Sequence, residues 1–159
     1  MSGRHLLLLA SCLALGGCLP SGGLPNGPLN QSLERLGSSR EPALGDGWLA
    51  LISGNGGREQ VQLIDLQRNL PVPLPGLNRP DARPLSAAVD SRGERLALVR
   101  QLEGRTELVL YRRSAGALQP LALQPAGVPL RVQLRADGRQ LAVEVSRNGL
   151  SQIDLIDWP

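Results

Sequence analysis

The side chains that could carry chemistry in this chain are carboxylates, arginines and two cysteines. The only histidine is His5 and there is no lysine, which excludes Ser-His-Asp catalysis and lysine Schiff bases from the rest of the chain. A pair of carboxylates could still hydrolyse a glycosidic bond. The two candidate pairs are Glu103 with Glu107 and Asp154 with Asp157. Because these spacings are ordinary for solvated turns and strand ends, we predict no catalytic site, no metal site and no cofactor.

The N-terminal segment has the features of a secretory signal. Arg4 precedes an apolar stretch over residues 6–15, which is too short to span a bilayer. The stretch runs into Leu-Gly-Gly-Cys, which resembles a bacterial lipobox with Cys18 as the lipid-modified residue. We therefore predict a lipoprotein signal peptide over residues 1–17 and a lipid anchor on Cys18. More than one acyl chain on this residue would hold the protein stably in a lipid bilayer.

Three alternatives to this anchor stay open, one of which is a cytosolic protein with an apolar start. Cys12 follows Leu-Ala-Ser and fits the same pattern after a shorter apolar run, and plain secretion with cleavage near residue 18 would leave no lipid. A lipid on Cys18 leaves no pair of cysteines for a disulfide in the mature chain. By resemblance to enterobacterial sorting, Leu19 after the cysteine favours the outer membrane, with the chain facing the periplasm.

An internal repeat organises the rest of the chain. Leu49, Leu96 and Leu141 are separated by 47 and then 45 residues, and each lies in an apolar run that follows a polar turn. Twelve residues after each of them comes a second apolar strand position, at Val61, Leu108 and Ile153. Turns that contain glycine lie between the two runs, as in β-hairpins. Four short strands in about 45 residues is the spacing of a propeller blade.

The repeat predicts an all-β fold of three blade-like antiparallel sheets, an incomplete propeller, over residues 48–159. The predicted strands are 48–53, 59–66 and 70–74 in the first unit, 85–89, 95–100, 106–112 and 118–123 in the second, and 130–134, 140–145 and 151–157 in the third. We predict no strand before residue 48, because residues 38–42 are polar and end in proline. Residues 18–47 are predicted to form a Pro- and Gly-rich tether with a short helix over residues 30–36, capped by Asn30. The predicted core positions are Leu49, Leu51, Leu96, Leu98, Leu141 and Val143.

The repeated strings DSRGERLALV and RADGRQLAV, followed by TELVLYRR and SQIDLID, resemble the TolB-type, WD-repeat-like β-propeller repeat. The resemblance covers residues 48–158. It implies an interaction platform near the outer membrane, so we expect a non-catalytic cell-envelope lipoprotein whose β-repeats bind an envelope protein. The alternatives are a carboxylate-based hydrolase and a module that binds a sugar or another small ligand.

Other patterns bear on ligands. Residues 54–57 have the composition of a phosphate loop, but a strand pattern follows them, so we predict a hairpin turn. A net charge of +3 and three aromatic residues argue against nucleic-acid binding. Asp65, Arg112 and Asp157 occupy equivalent positions in the three units. They would form either ion pairs between units or exposed strand-end charges worth under about 1 kcal/mol.

Three blades leave an open arc with two apolar ends. Large apolar faces and bare strand edges favour association. Either the tether and short helix fold back over one end and give a monomer, or two chains join as a homodimer with six blades.

Overall fold

The structure, a computed structural model, describes Gly23 and residues 25–159. In this part of the chain a single helix, α1 (Gly27–Glu34), precedes eleven strands. The first sheet contains β1 Ser38–Gly45, β2 Trp48–Asn55, β3 Arg58–Asp65 and β4 Leu70–Val72. The second contains β5 Ala82–Val89, β6 Arg95–Leu102, β7 Arg105–Arg112 and β8 Ala117–Leu121. The third contains β9 Val128–Leu134, β10 Gln140–Arg147 and β11 Leu150–Asp157. All neighbouring strands are antiparallel, which confirms the predicted all-β architecture of three blade-like sheets that form an incomplete propeller.

The first sheet has an inner strand where we predicted none. β1 pairs with β2 over most of its length, so the first unit begins at Ser38 and not at Trp48. The prediction was wrong because polar residues and a proline are tolerated in an edge strand, whose outer backbone groups need no partner. A bulge between Arg40 and Ala43 accommodates Pro42 together with Glu41, whose φ is 52°. Only the residues before β1 are left as a candidate tether.

The helix begins three residues earlier than predicted. Asn26, and not Asn30, is its N-cap, and the Asn26 side chain accepts a hydrogen bond from the backbone N–H of Leu29 at 3.4 Å. Pro28 lies in the first turn, where its missing N–H costs nothing. The apolar side of the helix packs on the first sheet through Leu29 and Leu33, and Leu36 in the turn after the helix joins them. α1 therefore lies over one end of the stack of sheets.

The core consists of two apolar layers between the three sheets. One layer joins the first sheet to the second around Ile52, Leu63 and Leu96, and the other joins the second to the third around Val99, Leu110 and Leu141. All six predicted core positions are buried, which confirms the repeat register; they are Leu49, Leu51, Leu96, Leu98, Leu141 and Val143. Leu49 and Leu51 are covered by α1 and not by a neighbouring sheet.

Equivalent turns hold each sheet to the next. The indole of Trp48 lies against Gly93 of the second sheet, where any Cβ would clash with the ring. Arg95, which follows Trp48 by one repeat, lies against Gly138 of the third sheet and donates a hydrogen bond to its carbonyl at 2.9 Å. The Arg95 guanidinium also stacks on Trp158, 4.8 Å from the ring centroid. Both glycines have positive φ, so a side chain there would be strained as well as crowded.

We expect Leu96→Ala to lower the free energy of unfolding by roughly 2–5 kcal/mol, since it leaves a cavity in a close-packed layer. Leu96 has no exposed surface, whereas Leu70 is 59% exposed, so Leu70→Ala is the matched control and should have little effect. Denaturant unfolding of both variants measures the difference. A loss under about 1 kcal/mol at Leu96 would contradict the assigned register.

Candidate functional site

The candidate site is a groove along the inner edge of the three sheets. Its volume is about 370 Å³, and residues 41–44 of β1, 86–89 of β5 and 131–134 of β9 line it. Each of these strands is the first strand of its sheet and lies at the sheet edge. An edge strand presents backbone N–H and C=O groups that have no partner within their own sheet. The groove is therefore lined by three neighbouring strand edges.

Every one of these inner strands contains a bulge. The register shifts between Arg40 and Ala43 in β1, between Pro84 and Ser86 in β5, and around Leu130 in β9. A bulge bends the strand and increases its twist, which keeps the edge from adding a flat strand along its full length. The bulges thus shape the groove and restrict how much of each edge is open to pairing.

The groove is lined by small side chains on β5 and by charged side chains at its two rims. Ser86 is buried on β5, and its hydroxyl accepts a hydrogen bond from the backbone N–H of Val132 at 3.3 Å, which ties β5 to β9. Ala87 and Ala88 lie beside it and are also buried. The rims carry charges of opposite sign, with Glu41 on β1 and Arg131 on β9. This arrangement suits a ligand that has polar backbone groups together with one positive and one negative charge.

An ion-pair network fixes the relation of β1 to β5. Glu59 accepts a hydrogen bond from Arg40 Nε at 2.8 Å and another from Arg83 Nε at 2.9 Å. The other guanidinium nitrogens of Arg40 donate to the carbonyls of Pro84 and Leu85 at 2.8 and 3.1 Å. The hydrogen bond from Arg40, followed by that from Arg83, lowers the pKa of Glu59 to about 2. The same bond raises the pKa of Arg40, so this pair stays ionised at neutral pH.

A buried carboxylate supports the turn at the end of β5. Asp90 has no exposed surface, and its Oδ1 accepts hydrogen bonds from the backbone N–H groups of Glu94 at 2.8 Å and Arg95 at 3.2 Å. Its own N–H donates to the Arg95 carbonyl, and the next residue donates to the carbonyl of Ala136 in the third sheet. Asp90 is therefore a structural residue that shapes the turn between sheets.

The structure does not gather the candidate carboxylate pairs into a site. Glu107 forms an ion pair with the buried Arg100, whose Nε lies 2.7 Å from Glu107 Oε1. Glu103 is exposed in the turn between β6 and β7, where its φ is 50°. Asp154 accepts hydrogen bonds from Arg147, and Asp157 accepts one from Gln140. Residues 154 and 157 differ by an odd number of positions in β11, so their side chains point to opposite faces. Cys18 and Cys12 lie outside the described residues.

The three equivalent charges do not pair with one another. Asp65 caps its own turn by accepting hydrogen bonds from the N–H groups of residues 67 and 68. Arg112 donates to the Pro159 carbonyl at 3.3 Å, and Asp157 accepts from Gln140 at 3.0 Å. The hypothesis of ion pairs between units at these positions is wrong. The sequence analysis also missed Arg40 and Ser86. Arg40 lies in a segment that we predicted not to be a strand, and Ser86 resembles any other small residue of a strand.

Residues 54–57 do form the predicted hairpin turn. Gly56 and Gly57 both have positive φ, and β3 begins directly after them. Among Gly23 and residues 25–159, no cluster of three His, Cys, Asp or Glu side chains is placed to bind a metal ion. Over the same residues, no helix has the length and apolar character needed to cross a membrane.

Comparison with known proteins bears on the fold. No family model matches the chain, and a search of curated proteins finds no match. The crystal structure of TolB from Acinetobacter baumannii superposes with a TM-score of 0.62 at 16% identity, covering 76% of this chain and 30% of that one. The fold is that of a TolB-like β-propeller.

A second solved structure agrees with this. The β-propeller domain of the Trilobed protease from Pyrococcus furiosus, which has an open velcro topology, superposes with a TM-score of 0.55 at 12% identity. It covers 75% of this chain and 38% of that one. The chain thus spans about a third of the length of each of these two chains, and the likeness concerns the fold alone.

We expect Glu59→Gln to flatten the acid dependence of the free energy of unfolding. The folded-state pKa of about 2 lies below the ordinary value of 4.5, so the stabilisation is complete above pH 4.5 and is lost as pH falls through about 2. Denaturant unfolding at several pH values between 2 and 6 measures the slope. Glu34→Gln, on the exposed side of α1, is the control and should keep the parent slope. Equal slopes for the parent and Glu59→Gln would contradict the role of this carboxylate.

Proposed function

We propose that this chain is a non-catalytic cell-envelope lipoprotein whose TolB-like β-repeats bind another protein through the groove of β1, β5 and β9. The observation that carries the proposal is the convergence of three strand edges on one open groove. Strand edges recognise polypeptide because their backbone groups hydrogen-bond to the backbone of an added segment. The bulges limit such pairing to short stretches, so side chains at the rims would add specificity.

The composition of the groove favours a polypeptide over a small molecule. Small-ligand pockets are mostly apolar, enclose the ligand and carry a few convergent polar groups. This groove is open along three strands, and Glu41 and Arg131 stand on opposite strands. A protein segment with a base and an acid would meet both charges. A sugar-binding module is supported less well, since the aromatic side chains Trp48, Tyr111 and Trp158 do not line the groove.

A carboxylate-based hydrolase is also supported less well. The carboxylates of the two candidate pairs either lie on different faces of a strand or form ion pairs with arginine, as Asp154 does with Arg147. The Pyrococcus furiosus propeller belongs to a protease, but the likeness to it is one of fold. The proposal of a non-enzymatic function therefore rests on the groove and on the residue types available.

The envelope location in the proposal rests on the N-terminal sequence. The Leu-Gly-Gly-Cys lipobox with Cys18 would place a lipid anchor ahead of the propeller, in the outer membrane and facing the periplasm. The segment between Cys18 and α1 would then act as the tether.

We expect Cys18→Ser to abolish acyl labelling and to leave unprocessed precursor, because the acceptor thiol is gone. Metabolic labelling with a fatty acid, followed by gel analysis of the precursor and mature forms, measures both effects. Cys12→Ser is the matched control and should be labelled and processed as the parent is. Loss of label only with Cys12→Ser would reassign the anchor, and a labelled Cys18→Ser protein would refute the assignment.

We expect a photo-crosslinking amino acid at position 41 to form a defined adduct with an envelope protein. Glu41 lines the groove, and Glu103 is the matched control because it is also a glutamate with positive φ, at 50° against 52°, but lies in the turn between β6 and β7. Irradiation of cells that produce each variant, followed by mass spectrometry of the adducts, measures the difference. Reversal of the opposite rim charge by Arg131→Glu should reduce the adduct at position 41. Equal adducts at positions 41 and 103 would contradict the groove as the binding site.

A further inference from the structure

Each sheet has a forward face, which is turned toward the next sheet along the chain. Four positions in the second and third strands of each sheet carry it, and they pair with each other in the same register in all three sheets. The forward faces are Ala50, Ile52, Val61 and Leu63 in the first sheet, Ala97, Val99, Leu108 and Leu110 in the second, and Ala142, Glu144, Ile153 and Leu155 in the third. Three of the four positions are apolar in every sheet.

The forward face of the third sheet is the exposed member of this set. The equivalent residues of the first two sheets are at most 5% exposed, whereas Ile153 is 67% and Leu155 is 69% exposed. Leu155 corresponds to Leu110, which packs against the third sheet. The third sheet thus presents to solvent the apolar residues that its neighbours bury against a further sheet.

Each sheet also has a backward face, which is turned toward the preceding sheet. In the second sheet Leu96, Leu98 and Tyr111 pack on the forward face of the first, and in the third sheet Leu141 and Val143 pack on the forward face of the second. In the first sheet the equivalent residues are Leu49, Leu51 and Ile64, and no sheet precedes them among the described residues. α1 covers this face instead.

The cover that α1 provides is light. None of the residues of α1 is buried, and the helix contacts the sheet through two partly buried leucines, Leu29 and Leu33, with Leu36 in the turn that follows. A helix of eight residues is marginal unless tertiary contacts hold it. The first sheet therefore carries a backward face of the ordinary apolar kind under a cover that can be displaced.

We propose that the forward face of the third sheet binds the backward face of the first sheet in a second copy of this chain, and that α1 competes with that copy. The argument for this occupant is continuity, because both sheet interfaces within the chain are forward-on-backward contacts. The described residues leave one face of each type. Two copies related by a two-fold axis would make both contacts at once and close, whereas contacts that do not close would propagate into a filament.

Competition by α1 sets the size of the expected effect. A binding site that is free only part of the time weakens apparent affinity in proportion to the free fraction. If α1 covers the first sheet for about nine-tenths of the time, its displacement strengthens association about tenfold. This inference stands apart from the groove, which lies on the inner strands and not on the sheet faces.

Site-specific photo-crosslinking between two differently tagged full-length copies tests the proposal. We expect a crosslinker at position 142, on the forward face of the third sheet, to join the two tags and to map to residues 49–51 or 64 of the other copy. A crosslinker at position 152 is the matched control, because Gln152 is also on a β-hairpin strand of the third sheet but on its other face. Leu29→Glu with Leu33→Glu, which detaches α1, should raise the yield about tenfold.

Two further variants keep the result interpretable. Asn26→Ala removes only the N-cap of α1 and should raise the yield in the same direction by a smaller factor. Ile153→Glu with Leu155→Glu should abolish the product even when α1 is detached, whereas nonspecific aggregation would persist. The proposal is overturned if no product joins the tags after α1 is detached, if the product maps away from the first sheet, or if a ladder of larger oligomers replaces the closed pair.

Discussion

The burial of sheet faces on one another is the constraint on which the rest of this structure depends. A sheet of three or four short strands cannot bury both of its faces alone, and each sheet here is apolar on both. The second sheet is covered on both sides, by Ile52 and Leu63 from the first and by Leu141 and Val143 from the third. The outer sheets each retain one face of the same kind, so the architecture itself determines where α1 packs and where apolar surface is exposed.

The polar residues of the interior hold the sheets in register. Asp90 closes the turn at the end of β5, and Gly93 and Gly138 allow Trp48 and Arg95 to lie across consecutive sheet junctions. Apolar packing alone gives stacked sheets little preferred orientation, because the hydrophobic free energy depends on the apolar area that is buried and not on direction. Hydrogen bonds and close glycine contacts supply that direction. They act at the same place in successive units, so one repeat explains both junctions.

The groove follows from the same stacking. Because the first strand of each sheet lies at the inner edge, stacking brings three edges side by side. Arg40 and Glu59 fasten the first edge to the second, and Ser86 fastens the second to the third. The bulges in these strands reduce their tendency to pair with any passing strand, which is how exposed edges avoid aggregation. A surface that binds polypeptide selectively needs both open strand edges and a limit on how far those edges can pair.

Much of the fold was readable from the sequence, because the repeat of about 45 residues is carried by apolar strand positions and by glycine turns, both local signals. The positions of ten strands and the burial of Leu96 and Leu141 follow from it. β1 escaped detection, since its polar residues are stabilised by partners far along the chain, such as Pro84 and Leu85 for Arg40. The groove escaped detection for the same reason, because each of its walls belongs to a different unit.

The sequence by itself determined the repeat, the β-hairpins and the candidate lipid anchor at Cys18, since each depends on neighbouring residues or on a fixed period. Only the tertiary structure decided which face of each strand pair is covered and by what. Ile153 and Leu155 resemble Leu108 and Leu110 in sequence, yet they are exposed because no further sheet lies on them among the described residues. Burial depends on what is packed against a residue, and that is a property of the assembled sheets and not of the strand.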